Sequence, residues 1–123
     1  MSSTRGRSRS RRQRADGRYE LTPGLLELVA ERFKALGEPA RLSILNALRE
    51  RELSVSEIMD ETGLGQANVS KHLQMLHTLG FVERRRDGLY VYYRIADDDI
   101  FRLCDMMCGR IERETRERGR LVS

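Results

Sequence analysis

Between Leu53 and Ile95 two short amphipathic helices, each stopped by a glycine, run without a linker into an arginine-rich hairpin. Ser54 to Leu64 carries a helical pattern ending at Gly63, and Gln66 to Leu79 carries another ending at Gly80. Leu64 and Gly65 supply the tight turn between them, so the spacing predicts a helix-turn-helix. Val69, Leu73, Leu76 and Leu79 fall on one face of the second helix and predict its buried side. That leaves Gln66, Asn68, Ser70, Lys71 and Gln74 outward, with Ala67 and His72 beside them. Side chains of these types reach base edges and phosphates from a major groove. Double-stranded DNA is the expected partner.

The hairpin points the same way. Val82 to Arg86, an Asp87-Gly88 turn, and Leu89 to Ile95 predict two antiparallel strands. In the second strand Leu89, Val91, Tyr93 and Ile95 alternate with Tyr90, Tyr92 and Arg94, which gives one inward face. Arg84, Arg85 and Arg86 sit beside the tip with little acidic compensation. With Tyr92 they are the candidate arm for phosphate contacts. A merely solvated surface is the alternative for such a run.

A chain of 123 residues is enough for one domain with a small core. No apolar run approaches the length of a bilayer span and the N-terminus lacks a signal-peptide centre, so no membrane partner and a cytoplasmic location are expected. Two cysteines do not suggest a disulfide framework, which fits a reducing compartment. The net charge of +4 is unevenly spread. Residues 1–18 hold seven Arg against one Asp, while the rest holds 16 basic and 18 acidic residues. DNA affinity must therefore come from local patches and the N-terminal stretch.

Residues 1–18 are rich in Ser, Arg and Gly, with almost no apolar side chain, and are expected to be a disordered basic arm. Such an arm contacts phosphate without sequence preference; a solubilising leader, or a stretch upstream of the true start, remains open. Residues 19–115 form the expected DNA-binding and dimerisation domain, followed by a charged tail at 116–123. In the domain, Thr22 can cap a first helix with Pro23 at its first position. Leu25, Leu28, Val29, Phe33 and Leu36 make its apolar stripe. A second helix opens at Pro39 and is expected to bury Leu42, Ile44, Leu45 and Leu48. After the hairpin, Asp97, Asp98 and Asp99 supply acidic caps to a last helix carrying Ile100, Leu103, Cys104, Met107, Cys108 and Ile111. The first and last helices carry more apolar surface than one small core needs. A homodimer burying Leu25, Val29, Ile100, Leu103, Met107 and Ile111 would use the excess. It would also set two reading helices about 34 Å apart on a palindromic operator.

Three segments carry a resemblance to a known family: Lys34 to Leu45 (KALGEPARLSIL), Val69 to Leu76 (VSKHLQML) and Gly88 to Ile95 (GLYVYYRI). Over roughly Phe33 to Ile111 the chain resembles the ArsR/SmtB family of dimeric winged-helix repressors. The resemblance implies a mainly α fold with a small β-hairpin, a winged helix-turn-helix of five helices dimerised through the first and last. It also implies release from the operator by an inducer, often a metal or metalloid ion. The sensor departs from the pattern. Where arsenite-sensing members carry Cys-Val-Cys in the third helix, this chain has Leu53, Ser54, Val55, Ser56 and Glu57. Serine hydroxyls do not replace thiolates for a soft ion. Zinc-sensing members use Asp/His pairs on the last helix, which here has no histidine. His72 and His77 lie five apart on the reading helix, off the spacing of helical ligand pairs.

Cys104 and Cys108 remain. Four residues apart on a helix, their Cβ atoms lie about 5–6 Å from each other, farther than the roughly 3.5–4.5 Å of a disulfide. They could ligate a thiophilic metal or metalloid ion with help from a partner subunit, or respond to thiol oxidation. They could equally be small apolar residues at a helix interface. The function expected is a repressor released by an inducer at these thiols. Its alternatives are a repressor with structural cysteines and no metal site, or a winged-helix module for protein contacts. No phosphate loop, Ser/His/Asp arrangement or acid pair suggests an enzyme.

Overall fold

Thr22 opens the first helix as its spacing predicts: Leu25 N–H donates to Thr22 Oγ1 at 3.3 Å, with Pro23 at the start of α1 (Pro23–Leu36). In this computed structural model residues 13–119 are described. They divide into two compact units, one running to Lys34 and one starting at Ala35.

The first unit opens with residues 13–18, the end of the stretch expected to be a disordered arm. Gln13 and Tyr19 form an antiparallel bridge closed by a tight turn. Asp16 accepts from Arg18 N–H at 3.1 Å, and Gly17 takes a left-handed φ of 85°. Asp-Gly is turn chemistry that works without any core, which is why an apolar-poor stretch still holds a shape. Residues 1–12 of the expected arm, and 120–123 of the expected tail, lie outside the described residues. Along α1, Leu28 and Phe33 of the expected stripe stay exposed, while Leu25 and Val29 are half-buried.

In the second unit, Ala35 is buried and Leu36 packs on the core. The elements that follow are α2 (Pro39–Ala47), β1 (Leu53–Ser54), α3 (Val55–Thr62), α4 (Gln66–Thr78), β2 (Val82–Asp87), β3 (Tyr90–Ile95) and α5 (Asp99–Glu117). One apolar cluster joins them: Ile44, Leu45 and Leu48, Leu53, Ile58, then Val69, Leu73 and Leu76 of α4, with Val82, Tyr93, Ile100 and Phe101. Leu42, expected in the core, is instead 37% exposed, because a nine-residue helix turns only one narrow face inward. Leu79 is half-buried at the C-cap of α4.

The sheet differs from the two-stranded hairpin expected. It has three antiparallel strands in the order β1-β3-β2, with Leu53 opposite Tyr93 and Ser54 opposite Tyr92. The hairpin closes one residue later than Asp87-Gly88: Asp87 pairs with Tyr90, and Gly88 and Leu89 form the loop. Gly88 has φ 63° and no non-glycine residue among those described has positive φ, the pattern of a two-residue type II′ loop. Leu89 therefore leaves the strand and stands 96% exposed at the tip, so the inward face is Val91, Tyr93 and Ile95.

Two findings concern α5. Its N-terminus is capped by Asp97, whose Oδ1 accepts from Asp99 N–H at 2.9 Å; Asp98 makes no side-chain cap. The helix also runs to Glu117, past the boundary expected at 115, carried by the ion pairs Arg110–Glu114 and Glu112–Arg116. No described helix is long and apolar enough to cross a membrane.

Candidate nucleic-acid interface

Helix α4 is fixed from below and open above. Ser54 and Glu57 form a reciprocal capping box at the start of α3: Ser54 Oγ accepts from Glu57 N–H at 3.2 Å, and Glu57 Oε1 accepts from Ser54 N–H at 2.8 Å. Gly63 ends α3 in the left-handed conformation with φ 76°, where only glycine is free of strain. Two residues later Gly65 opens α4, with no side chain bonded across its N-terminus. Val69, Leu73 and Leu76 then lock α4 to the core. Gln66, Ala67, Asn68, Ser70, Lys71 and Gln74 are all exposed, as their spacing predicts. Neutral hydrogen-bonding groups at the first turn with one cation behind them suit base edges flanked by phosphate.

His72 sits apart from that group. It is half-buried, and Arg41 Nη1 of α2 donates to its Nδ1 at 3.2 Å. Arginine offers only donors, so Nδ1 accepts and the neutral ring carries its hydrogen on Nε2. Burial first, and then the charge of Arg41, hold the imidazole below its ordinary range. Arg41 is itself anchored, its Nε donating to the Ala35 carbonyl at 2.7 Å.

The hairpin arginines do not act as one group. Residues directly opposite in an antiparallel pair share a face. Arg84 and Arg86 oppose Tyr93 and Val91, while Arg85 opposes Tyr92 on the other face. The expectation of little acidic compensation is corrected on that second face. Arg85 Nε donates to both oxygens of Glu52, at 3.0 and 2.9 Å, and Nη2 adds a bond at 2.8 Å. Its guanidinium lies 4.8 Å over the Tyr92 ring. Arg94 likewise pairs with Glu83. Among the described residues Arg84 and Arg86 have no ion-pair partner. Tyr92 is thus half-buried beneath Arg85, with Tyr90 tilted beside it at 6.3 Å between ring centres. Sequence reasoning missed Arg41 and Glu52, because both act on residues more than thirty positions away.

The two thiols are free. Cys104 packs against the core and burial pushes its thiol up, with Cys108 adding to that; Cys108 is exposed. No described group of three or more His, Cys, Asp or Glu side chains could hold a metal ion within one protomer. Two thiols fall short of a closed tetrahedral site, so a resident ion would need ligands from a second subunit. Next to Cys104, Asp105 accepts from Arg49 Nη2 at 3.0 Å, and Arg49 lies 4.6 Å over Phe101. Ile100, expected at the dimer seam, is only 5% exposed and belongs to the protomer's own core. Leu103, Met107 and Ile111 are exposed, and Met106, at 71%, joins them.

Comparison with known proteins agrees with this geometry. Residues 38–84 match the family described as "Bacterial regulatory protein, arsR family". The chain is 41% identical to the HTH-type transcriptional regulator Rv0324 of Mycobacterium tuberculosis over 87 residues, 71% of this chain and 38% of that protein. It thus spans well under half of that relative. The crystal structure of Rv0081 from M. tuberculosis superposes with a TM-score of 0.71 at 39% identity, covering 79% of this chain and 98% of that one. The solution structure of the homodimeric winged helix-turn-helix DNA-binding domain of Mb0332 from Mycobacterium bovis gives 0.68 at 37%, covering 81% and 94%. With its capped α3, its open α4 and its wing, the chain belongs to the arsR family of DNA-binding transcriptional regulators, a family of regulators and not of enzymes.

Proposed function

We propose that the chain is a cytoplasmic repressor that binds an inverted-repeat operator as a homodimer and leaves it when an inducer engages Cys104 and Cys108. The observation that carries DNA reading is the first half of α4, where Gln66, Asn68, Ser70 and Lys71 stand exposed over a closed apolar floor. Asn or Gln pairs bidentately with adenine, and one good pair discriminates by about 1–3 kcal/mol. Arg84 and Arg86 act on phosphate beside the groove. Asn68→Ala is expected to weaken binding to a selected operator far more than binding to random duplex, measured by fluorescence anisotropy. Equal losses on both would remove α4 from sequence readout.

The dimer is supported by the apolar residues left exposed on α5, namely Leu103, Met106, Met107 and Ile111, and by those on α1. Homodimerisation of the M. bovis domain supports the same assembly. The thiol proposal has a weaker footing. In its favour, both cysteines lie on that helix, one of them exposed, and Asp105 next to Cys104 ties α5 to the end of α2 through Arg49. A shift of α5 on ligation or oxidation would be felt by the reading head. The half-burial of Cys104 against the core favours the second proposal, that the thiols only pack. The Cys104→Ser, Cys108→Ser double variant decides between them. Operator release by trivalent arsenic, a soft divalent ion or peroxide is expected for the wild type and not for the variant. A variant that responds like wild type, or a wild type deaf to all of them, makes the thiols packing residues.

A further inference from the structure

We infer that Glu52, Arg85 and Tyr92 form an internal clamp that sets the angle of the wing, so that Arg85 is a positioning residue for DNA binding and not a phosphate contact. The inference rests on the proposed reading of DNA by α4 and the wing.

The three residues come from three strands or strand ends. Arg85 lies on β2, Tyr92 on β3, and Glu52 immediately before β1. Tyr92 is the residue opposite both Arg85 and Ser54, so the arginine side chain crosses the middle strand to reach the far one. On the way its guanidinium carbon passes 4.8 Å from the Tyr92 ring centre, and at the end it meets Glu52 as a fork, Nε–H shared between both oxygens at 3.0 and 2.9 Å and Nη2 donating at 2.8 Å. Its remaining nitrogen, Nη1, turns toward Asp87 at 3.7 Å. Two of the five guanidinium N–H groups are engaged by Glu52, and the Nη1 pair faces Asp87. A phosphate approaching this face meets a carboxylate already in place.

What the clamp grips matters as much as its geometry. Glu52 is followed by Leu53, fully buried in the core, and by Ser54, the cap of α3. The far end of the fork is therefore fastened where the helix-turn-helix begins. Its near end is fastened to the strand that leads to the wing tip. The fork makes this a job for arginine in particular, since a lysine keeps the charge but not two fixed N–H groups aimed at one carboxylate. Across the sheet Arg84 and Arg86 are exposed without ion-pair partners among the described residues, and they carry the phosphate term.

The two roles predict opposite signs. The full chain is titrated with its selected operator over a range of salt, as wild type, Arg85→Ala, Arg85→Lys, Glu52→Gln and Arg86→Ala. For a clamp, Arg85→Ala and Arg85→Lys each lose several-fold in affinity with the salt slope unchanged. Glu52→Gln loses a similar factor although it removes a negative charge, and combining Glu52→Gln with Arg85→Lys is no worse than either alone. Arg86→Ala, by contrast, removes one phosphate contact from each protomer and lowers the slope by about 1.8 per dimer. The clamp is overturned if Arg85→Lys binds like wild type, if Glu52→Gln binds tighter with a steeper slope, or if none of the clamp variants changes affinity. A wild type that binds no duplex at all would instead defeat the DNA reading. The clamp is then read in the free protein by NMR, where the Arg85 Nε–H signal is expected to be protected from exchange and to lose that protection in Glu52→Gln. Equal exchange in the two proteins overturns it there.

Discussion

His72 lies on α4, yet it faces a cation of its own molecule. Arg41 donates to it, and burial followed by the charges of Arg41 and Lys71 disfavours the imidazolium, with Glu38 opposing. Because the folded pKa lies below the ordinary value of 6.5, the unfolded chain takes up the proton first as pH falls. The contribution to stability is full above that value and is lost as pH drops through it toward the lowered one. His72→Gln keeps an acceptor for Arg41 and cannot titrate, so it is expected to flatten this part of the profile. Urea midpoints between about pH 5 and 8 measure it; an identical acid loss in both proteins would place the titrating group elsewhere. The exposed face of α4 was legible because Val69, Leu73 and Leu76 mark the buried one at helical spacing. The Arg41 contact was not, since it joins α4 to a helix 31 residues earlier and leaves no local pattern.

Among the elements, α3 has both ends specified locally, its start by the capping box at Ser54 and its end by the left-handed Gly63. Ser54→Ala removes one acceptor from the first turn and is expected to cost about 1 kcal/mol in urea unfolding, while Ser56→Ala on the exposed side of the same helix is expected to cost little. Equal costs would mean that the box contributes nothing. The strand formed by Leu53 and Ser54 escaped the sequence because two residues cannot display a period of two. The same two residues both pair with β3 and start α3, and a helical pattern running into them hides the strand. At the wing, Asp87-Gly88 marked the hairpin correctly but not its register. Gly88 takes the first loop position instead of the second, which moves Leu89 from the sheet face to the tip. The compensation of Arg85 by Glu52 was equally hidden, because the carboxylate lies before β1, 33 residues from the arginine.

For the whole molecule, the protomer closes its core with Ile100 and Phe101 and then extends α5 well beyond it. Leu103, Met107 and Ile111 recur every four residues along that extension and stay exposed. Excess apolar surface of this kind was visible in the sequence, although the division of labour along α5 was not: Ile100 matched the stripe but went to the core. Leu103→Glu is expected to leave the protomer folded, since the side chain is about half exposed there, and to abolish the dimer by placing an unpaired charge at its seam. Sedimentation equilibrium checks this, with a dimeric variant as the contrary result. The central claim, that two α4 helices read one site together, is tested most directly by selecting duplexes from a random pool with the full chain and footprinting the enriched sequence with hydroxyl radicals. The account predicts an inverted repeat with half-sites centred about 10 base pairs apart, protected at one dimer per site. Enrichment of a single unrepeated half-site, or protection at one protomer per site, would contradict it.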